Sequence, residues 1–266
     1  MIILVLKKLN HKFWNCMDNI AQKIREFIVK AAYMAKHGHM PSALSIVEIM
    51  QSYHDIETQD DVMILSKGHG CLALYSLLVI QGHVDEKELL TFGKKGSKLG
   101  GHPDRNKIDK IYASTGSLGH GLPIAVGTAM AKKIMKKNGK VFCVIGDGEI
   151  NEGSIWESIL VAVNNKLDNL ICVVDYNKSQ VRSLEPKLTT QMFESFGCNV
   201  VEVDGHDVNS LVNVMNSDDI GLPKVILANT IKGKGIKEIE NDMFAWHHRA
   251  PNEEEYKRFC EEIYES

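Results

Sequence analysis

The chain carries no large excess of either charge: 31 Lys and Arg stand against 34 Asp and Glu, a net −3 at pH 7. Without a basic surplus there is no electrostatic reason to expect nucleic acid or an anionic membrane as partner, and neither is expected. The six cysteines include no C-x-x-C pair. Cys143 and Cys172 fall in apolar runs that read as buried strands, so reduced structural thiols in a cytoplasmic protein are the expectation. Long apolar runs are also missing. Met1 to Leu6 (MIILVL) is too short for a signal-peptide core or a membrane span, and Lys7-Lys8 lie on its wrong side. That segment suits an edge strand or an ordered arm. There is no internal repeat, low-complexity tract or interdomain linker, so residues 1–266 read as a single domain. An apolar content of 44% over 266 residues is enough for one sizeable α/β core.

What is present centres on Val141 to Gln180, VFCVIGDGEINEGSIWESILVAVNNKLDNLICVVDYNKSQ. Val141 to Ile145 is β-branched enough to be a buried strand. Gly146-Asp147-Gly148 follows as a turn whose glycines permit φ > 0 and the close approach of a ligand. A helix from about Gly153 to Asn164 leads to a second apolar run, Leu170 to Val174, which ends at Asp175-Tyr176-Asn177. This order predicts parallel neighbouring strands in an open, mostly parallel α/β sheet with helices on both faces. Asp147 and Asn177 then sit just past the carboxyl ends of adjacent strands, where such sheets bind ligands. A carboxylate beside an amide carbonyl offers the hard oxygens that Mg²⁺ takes together with water and phosphate. The turn ahead of a helix adds N–H groups and a positive helix end, both suited to a diphosphate. Taken alone, Asp147 would serve equally as a helix cap and Asn177 as a turn residue.

GDG, then Glu152-Gly153, then Asn177-Lys178 some thirty residues on, resembles the thiamine diphosphate fingerprint, in detail its transketolase version. The resemblance implies that Asp147 and the Asn177 side chain hold Mg²⁺ (or Ca²⁺ or Mn²⁺), with the Ser179 carbonyl as third ligand. It implies that Gly148 meets the diphosphate. Glu152 is implied near the dimer interface, helping to organise the cofactor site.

Four histidine loops extend the resemblance along the chain. A helical period from Met17 to about Lys36 stops at Lys36-His37-Gly38-His39, with Gly38 as the stop and Ser42 or Ser45 able to cap the next helix. His39 matches a family histidine that faces the thiazolium and the substrate. A strand at Asp61 to Leu65 precedes Ser66-Lys67-Gly68-His69-Gly70 and a helix from Cys71 to Gln81; the family's histidine here contacts the diphosphate. Gly93 to Asn106 is a long aperiodic loop of the functional kind and carries Gly101-His102-Pro103, the third match. Ala113 to Gly121 opens a helix to about Lys137, and the resemblance sets Gly116 and Leu118 beside the aminopyrimidine. Strands are expected at Val200 to Val203 and Lys224 to Ala228, with Asp204-Gly205-His206-Asp207 turning into a helix between them. Lys232-Gly233-Lys234-Gly235 lacks the upstream glycine of a nucleotide-binding loop, which excludes an ATPase reading. Trp246-His247 matches the fourth histidine, and a charged helix from Asn252 to Tyr264 closes the chain.

The implied activity is transfer of a two-carbon ketol unit between sugars or sugar phosphates, with thiamine diphosphate as electron sink. His39, His102 and His247 would move protons at substrate oxygens, a task suited to imidazoles, while His69 and His247 touch the cofactor. In the family the activating glutamate lies on a pyrimidine-binding domain, and nothing after His248 is long enough to be one. The implied partner is a C-terminal transketolase subunit, in a homodimer or an α₂β₂ assembly. A deoxyxylulose phosphate synthase or the α chain of a 2-oxoacid dehydrogenase fits less well, given G-H-P at Gly101 and W-H at Trp246. A non-catalytic cofactor-binding subunit has no need of His39, His69, His102 and His247. Met40-Pro41-Ser42 in place of Pro-Gly-Gly, and His120 in place of glutamine, depart from the family and point to a non-standard sugar.

Overall fold

The computed structural model describes residues 20–182, 189–217 and 221–265. Met1–Leu6, Cys16 and Met17–Asn19, on which parts of the sequence reading fell, lie outside them. Helix α1 (Ile20–Ala35) buries Ile24, Phe27, Ile28 and Ala31, the stripe its period predicts. It ends one residue before Lys36, which takes the left-handed φ of 60°. The stop is therefore Lys36, and Gly38 (φ 134°) serves the turn that follows.

Helix α2 (Met40–Leu44) has His39 at its N-cap and Pro41 in its first turn, and α3 (Val47–Ile56) starts at Ile46 without a side-chain cap. Neither serine caps a helix as expected. Ser42 lies inside α2, and the Ser45 hydroxyl instead donates to Asp175 Oδ2 at 2.7 Å. A buried carboxylate is a stronger acceptor than anything at a helix start.

Five strands follow: β1 (Val62–Leu65), β2 (Val141–Gly146), β3 (Leu170–Tyr176), β4 (Asn199–Asp204) and β5 (Lys224–Asn229). They pair in the order β1-β2-β3-β5-β4, every pair parallel. Between and after them run α4 (Cys71–Ile80), α5 (Glu86–Leu89), α6 (Gly121–Ile134), α7 (Gly153–Asn164), α8 (Thr189–Ser195), α9 (Val208–Asn216), α10 (Lys237–Asn241) and α11 (Glu253–Glu265). Alternation along the strands divides the interior into two cores. Phe142 and Val144 of β2, and Ile171 and Val173 of β3, pack with α1, α3, α4 and α11. Val141, Cys143 and Ile145, with Leu170, Cys172 and Val174, pack with α6 and α7. Helices on both faces cover strands that are buried throughout. Cys143 and Cys172 pair in register as free thiols, and burial pushes both well up from the usual thiol range. No helix among the described residues is long and apolar enough to cross a membrane.

Gly146 and Gly148 were expected at positive φ and do not adopt it. Gly146 is still paired strand, and Gly148 opens a 3₁₀ turn to Asn151. What glycine provides at 148 is room: a Cβ there would come no closer than 4.0 Å to Gln180 Cβ. The left-handed residue of this region is Lys178 (φ 58°), which folds Ser179 back over Asn177.

Candidate active site

The register Gly146 to Asp175 places Asp147 and Asn177 beyond adjoining strand ends, as expected. Asp147 is 2% exposed; its Oδ1 accepts from Gly148 N at 2.8 Å and Ser179 Oγ at 3.0 Å. It thus caps the 3₁₀ turn as well as facing the cleft. Asn177 Nδ2 donates to Asp175 Oδ2 at 2.7 Å, which leaves Oδ1 as the acceptor, 3.0 Å from Ser179 N. Asp175 is fully buried and also receives Ser45, Thr230 and the ammonium of Lys67. Burial, and then the neighbouring Asp175, raise the Asp147 carboxyl above its ordinary range. A carboxylate raised in this way gains from an added cation.

The histidines converge from separate loops. His39 lies at the N-cap of α2, His69 in the 3₁₀ turn after β1 (Gly68–Gly70), and His247 before α11. Ring centroids of His39 and His69 are 5.6 Å apart, and those of His39 and His247 are 5.4 Å apart. His248, which the sequence reading did not single out, is nearer still at 4.6 Å. Burial first, then His248, His247 and His102, bring the His39 imidazole down to about 4. Burial and Lys67 bring His69 to about 2, and burial followed by Lys232 and His248 lowers His247. Each is a neutral imidazole near pH 7.

His102 comes in from the Gly93 to Asn106 loop and lies over Gly116, where a Cβ would stand 3.1 Å from its Cγ. Gly116 (φ 155°) is left-handed as well as crowded, so no other residue fits there. Leu118 lines the cleft. Glu152 is exposed at the N-cap of α7, against Gly119. His120 is exposed just before α6 and makes no side-chain cap.

Between these walls lies a cleft of about 210 Å³ that includes His69, Asp147, Asn177, Ser179, Lys232 and His247. Sequence reasoning missed two groups in it. The Lys232 side chain, 5% exposed, has no hydrogen bond or ion pair among the described residues. Burial, and then Lys67, lower its ammonium to about 8, against the pull of Asp175 and Asp147. Ser42 Oγ is buried in the same wall without a partner among the described residues. The signal for Lys232 was there in K-G-K-G, but rejection of a nucleotide loop left it without a role. A buried cation and a buried hydroxyl, both unpartnered and sharing a cleft with the Asp147 carboxylate, fit an anionic diphosphate carrying a metal. Glu149 was also overlooked. It ties the loop ends together through Ser66 and the N–H groups of Gly119 (2.7 Å) and Gly146 (3.2 Å).

This arrangement is that of a thiamine diphosphate site, and sequence comparison agrees. The family model described as transketolase, thiamine diphosphate binding domain, matches residues 16–262, and the chain belongs to that family. Among curated relatives, one of the two chains of the apulose-4-phosphate transketolase of Actinobacillus succinogenes, named as a subunit, is 38% identical over 90% of this chain and 92% of its own length. The 6-deoxy-6-sulfo-D-fructose transketolase subunit SqwG of Clostridium sp. (strain MSTE9) is 34% identical over 93% of this chain. The transketolase of Campylobacter jejuni superposes with a TM-score of 0.85 at 28% identity, covering 93% of this chain and 42% of that one. The chain thus spans less than half the length of that solved transketolase. Fold, thiamine diphosphate and membership of the transketolase-type transferases are as the sequence resemblance implied.

Proposed function

We propose that the chain is the diphosphate-side subunit of a two-chain transketolase that moves a two-carbon ketol unit between sugars bearing acidic groups. The observation that carries this is the cleft itself, where unpartnered Lys232 and Ser42 stand opposite Asp147 and Asn177. In this reading Asp147, Asn177 Oδ1 and the Ser179 carbonyl hold Mg²⁺. Gly148, His69, Lys232 and Ser42 hold the diphosphate, and Gly116 and Leu118 bear on the pyrimidine. Thiamine diphosphate, when bound, supplies the electron sink for C–C cleavage. His39, His102 and His247 take the proton from the donor hydroxyl and steady the new carbonyl oxygen. Neutral His39 is suited to accept that proton, and each such transfer is worth about 10²–10⁴-fold.

Two relatives named as subunits, of which this chain matches nearly the full length of one, support a separate partner chain. That partner brings the pyrimidine-binding wall and its glutamate, with residues 1–266 forming one domain, Glu152 lying at the interface, and an α₂β₂ complex working in the cytoplasm. The two relatives' names specify a phosphate and a sulfo sugar, which supports a ketose with an acidic substituent as donor here. The test is reconstitution. Alone, the chain should bind thiamine diphosphate weakly and transfer nothing; the pyrimidine-domain chain should restore both, and Asp147→Ala should abolish Mg²⁺-dependent cofactor binding in calorimetry. Full turnover by the isolated chain overturns the two-chain reading, and unchanged cofactor affinity in Asp147→Ala overturns the metal site.

A further inference from the structure

One carboxylate grips both sides of the segment that delivers Lys232. Glu48 of α3 is 6% exposed, pairs with Arg25 through Oε1, and has Oε2 2.8 Å from His206 Nδ1. Arg25 Nε goes on to donate to the Lys234 carbonyl at 3.1 Å. On the other side of Lys232, the Ile231 N–H donates to His206 Nε2 at 2.8 Å. That bond requires a bare Nε2, so the proton sits on Nδ1 and is donated to Glu48. Gly235 (φ 94°) is glycine for the same reason, since a Cβ there would meet Arg25 Cδ at 2.8 Å. The middle of the segment is fixed by Gly233 N on the Pro41 carbonyl at 3.0 Å.

We infer that Glu48, His206 and Arg25 form a positioning relay that holds the Lys232 ammonium in the diphosphate cleft. The inference rests on the cofactor role proposed for that cleft. A lysine stem has four rotatable bonds, and an ammonium without a partner gains by swinging out to water. Only a fixed backbone on both sides keeps it inside. Burial raises the Glu48 carboxyl, but the His206 hydrogen bond and the Arg25 charge outweigh it and hold the group ionised. Both oxygens can therefore accept. An amide could not replace them: with one N–H₂ and one carbonyl, a glutamine sets a donor against either Arg25 or His206.

The first test needs no cofactor. Amine labelling of Lys232 in the full chain, followed across pH by peptide mass spectrometry, should show a midpoint near the value of about 8 in the native protein. In Glu48→Gln and in His206→Leu the released lysine should titrate at least about one unit higher, toward the ordinary lysine value. His206→Gln, which can again accept from Ile231, should bring the midpoint back. If Glu48→Gln does not fold, His206→Leu decides, because it leaves the Arg25–Glu48 pair in place. An unchanged midpoint in folded His206→Leu overturns the relay. The second test is calorimetry with Mg²⁺ and inorganic pyrophosphate. His206→Leu should weaken binding about tenfold in the native background and not further in Lys232→Met, the non-additivity of residues acting as a unit. Additive losses count against the relay. A shifted midpoint with pyrophosphate affinity untouched by Lys232→Met would leave the relay standing and overturn the cleft's cofactor role instead.

Discussion

The Tyr75 hydroxyl lies 2.9 Å from the carbonyl oxygen of His102 and 3.0 Å from that of Gly100. Tyr75 is wholly buried on α4, and one turn earlier the Cys71 thiol donates to the Gly101 carbonyl at 3.2 Å. The loop that presents His102 is therefore held from beneath by two side chains of one helix. Tyr75→Phe should fill the same space yet leave those carbonyls without their donor, at a cost of about 1–3 kcal/mol in stability. Turnover of the reconstituted enzyme should fall while cofactor affinity stays near native. Lower stability with native turnover would show that the hydroxyl serves the fold alone.

Strand and helix spans were legible because burial on both faces writes long apolar runs into β2 and β3, and amphipathic periods into α1. The metal pair was legible for a related reason: Asp147 and Asn177 directly follow those runs. Groups that act through contacts far apart in sequence were not. Lys67 reaches Asp175 across 108 residues and Glu48 reaches His206 across 158, and no local pattern marks either partner. Ser45 was misread on the same account, since its local context suggests a cap while a distant carboxylate claims the hydroxyl. Helix α8 was passed over because its seven residues are too few to establish a period.

His69 lines the cleft beside Asp147, whereas His102 sits over Gly116 in a different loop. His69→Ala should therefore weaken thiamine diphosphate binding more than it slows turnover at saturating cofactor. His102→Ala should do the reverse, by about 10²-fold or more if it handles a proton. Cofactor titration and steady-state rates on both variants decide the matter. Loss of cofactor affinity alone in both would remove His102 from the chemistry.

Burial of neutral imidazoles ties stability to pH. An unfolded histidine binds its proton at about 6.5, while folded His39 waits until about 4 and His69 until about 2. Between those values the unfolded chain holds more protons, so stability falls as pH drops from about 6.5 toward 4, and further for His69. Asp147 works the other way, because its raised carboxyl takes up a proton in the folded state first. Urea midpoints of the cofactor-free chain should decline from about pH 7 to pH 5. His39→Gln should flatten that decline. A decline equally steep in the variant would mean that other groups set it.

The Lys67–Asp175 pair separates fold from function most sharply. Its side chains are 1% and 0% exposed, and Asp175 is also what turns the Asn177 amide so that its oxygen is positioned to accept. Lys67→Met leaves a buried carboxylate without its counter-charge, a loss of about 3–5 kcal/mol. Pairing it with Asp175→Asn removes the charge altogether and should recover much of that stability, as buried ion pairs replaced on both sides commonly do. Metal-dependent thiamine diphosphate binding should not return with it. A neutral amide at 175 accepts at one oxygen only, and Ser45, Thr230 and Asn177 all donate there. The Asn177 oxygen then loses its fixed direction toward the metal. Thermal unfolding and calorimetric titration with Mg²⁺ and cofactor, run on the single and double variants, read the two effects separately. Native cofactor affinity in the double variant would mean that the pair stabilises the fold without orienting Asn177.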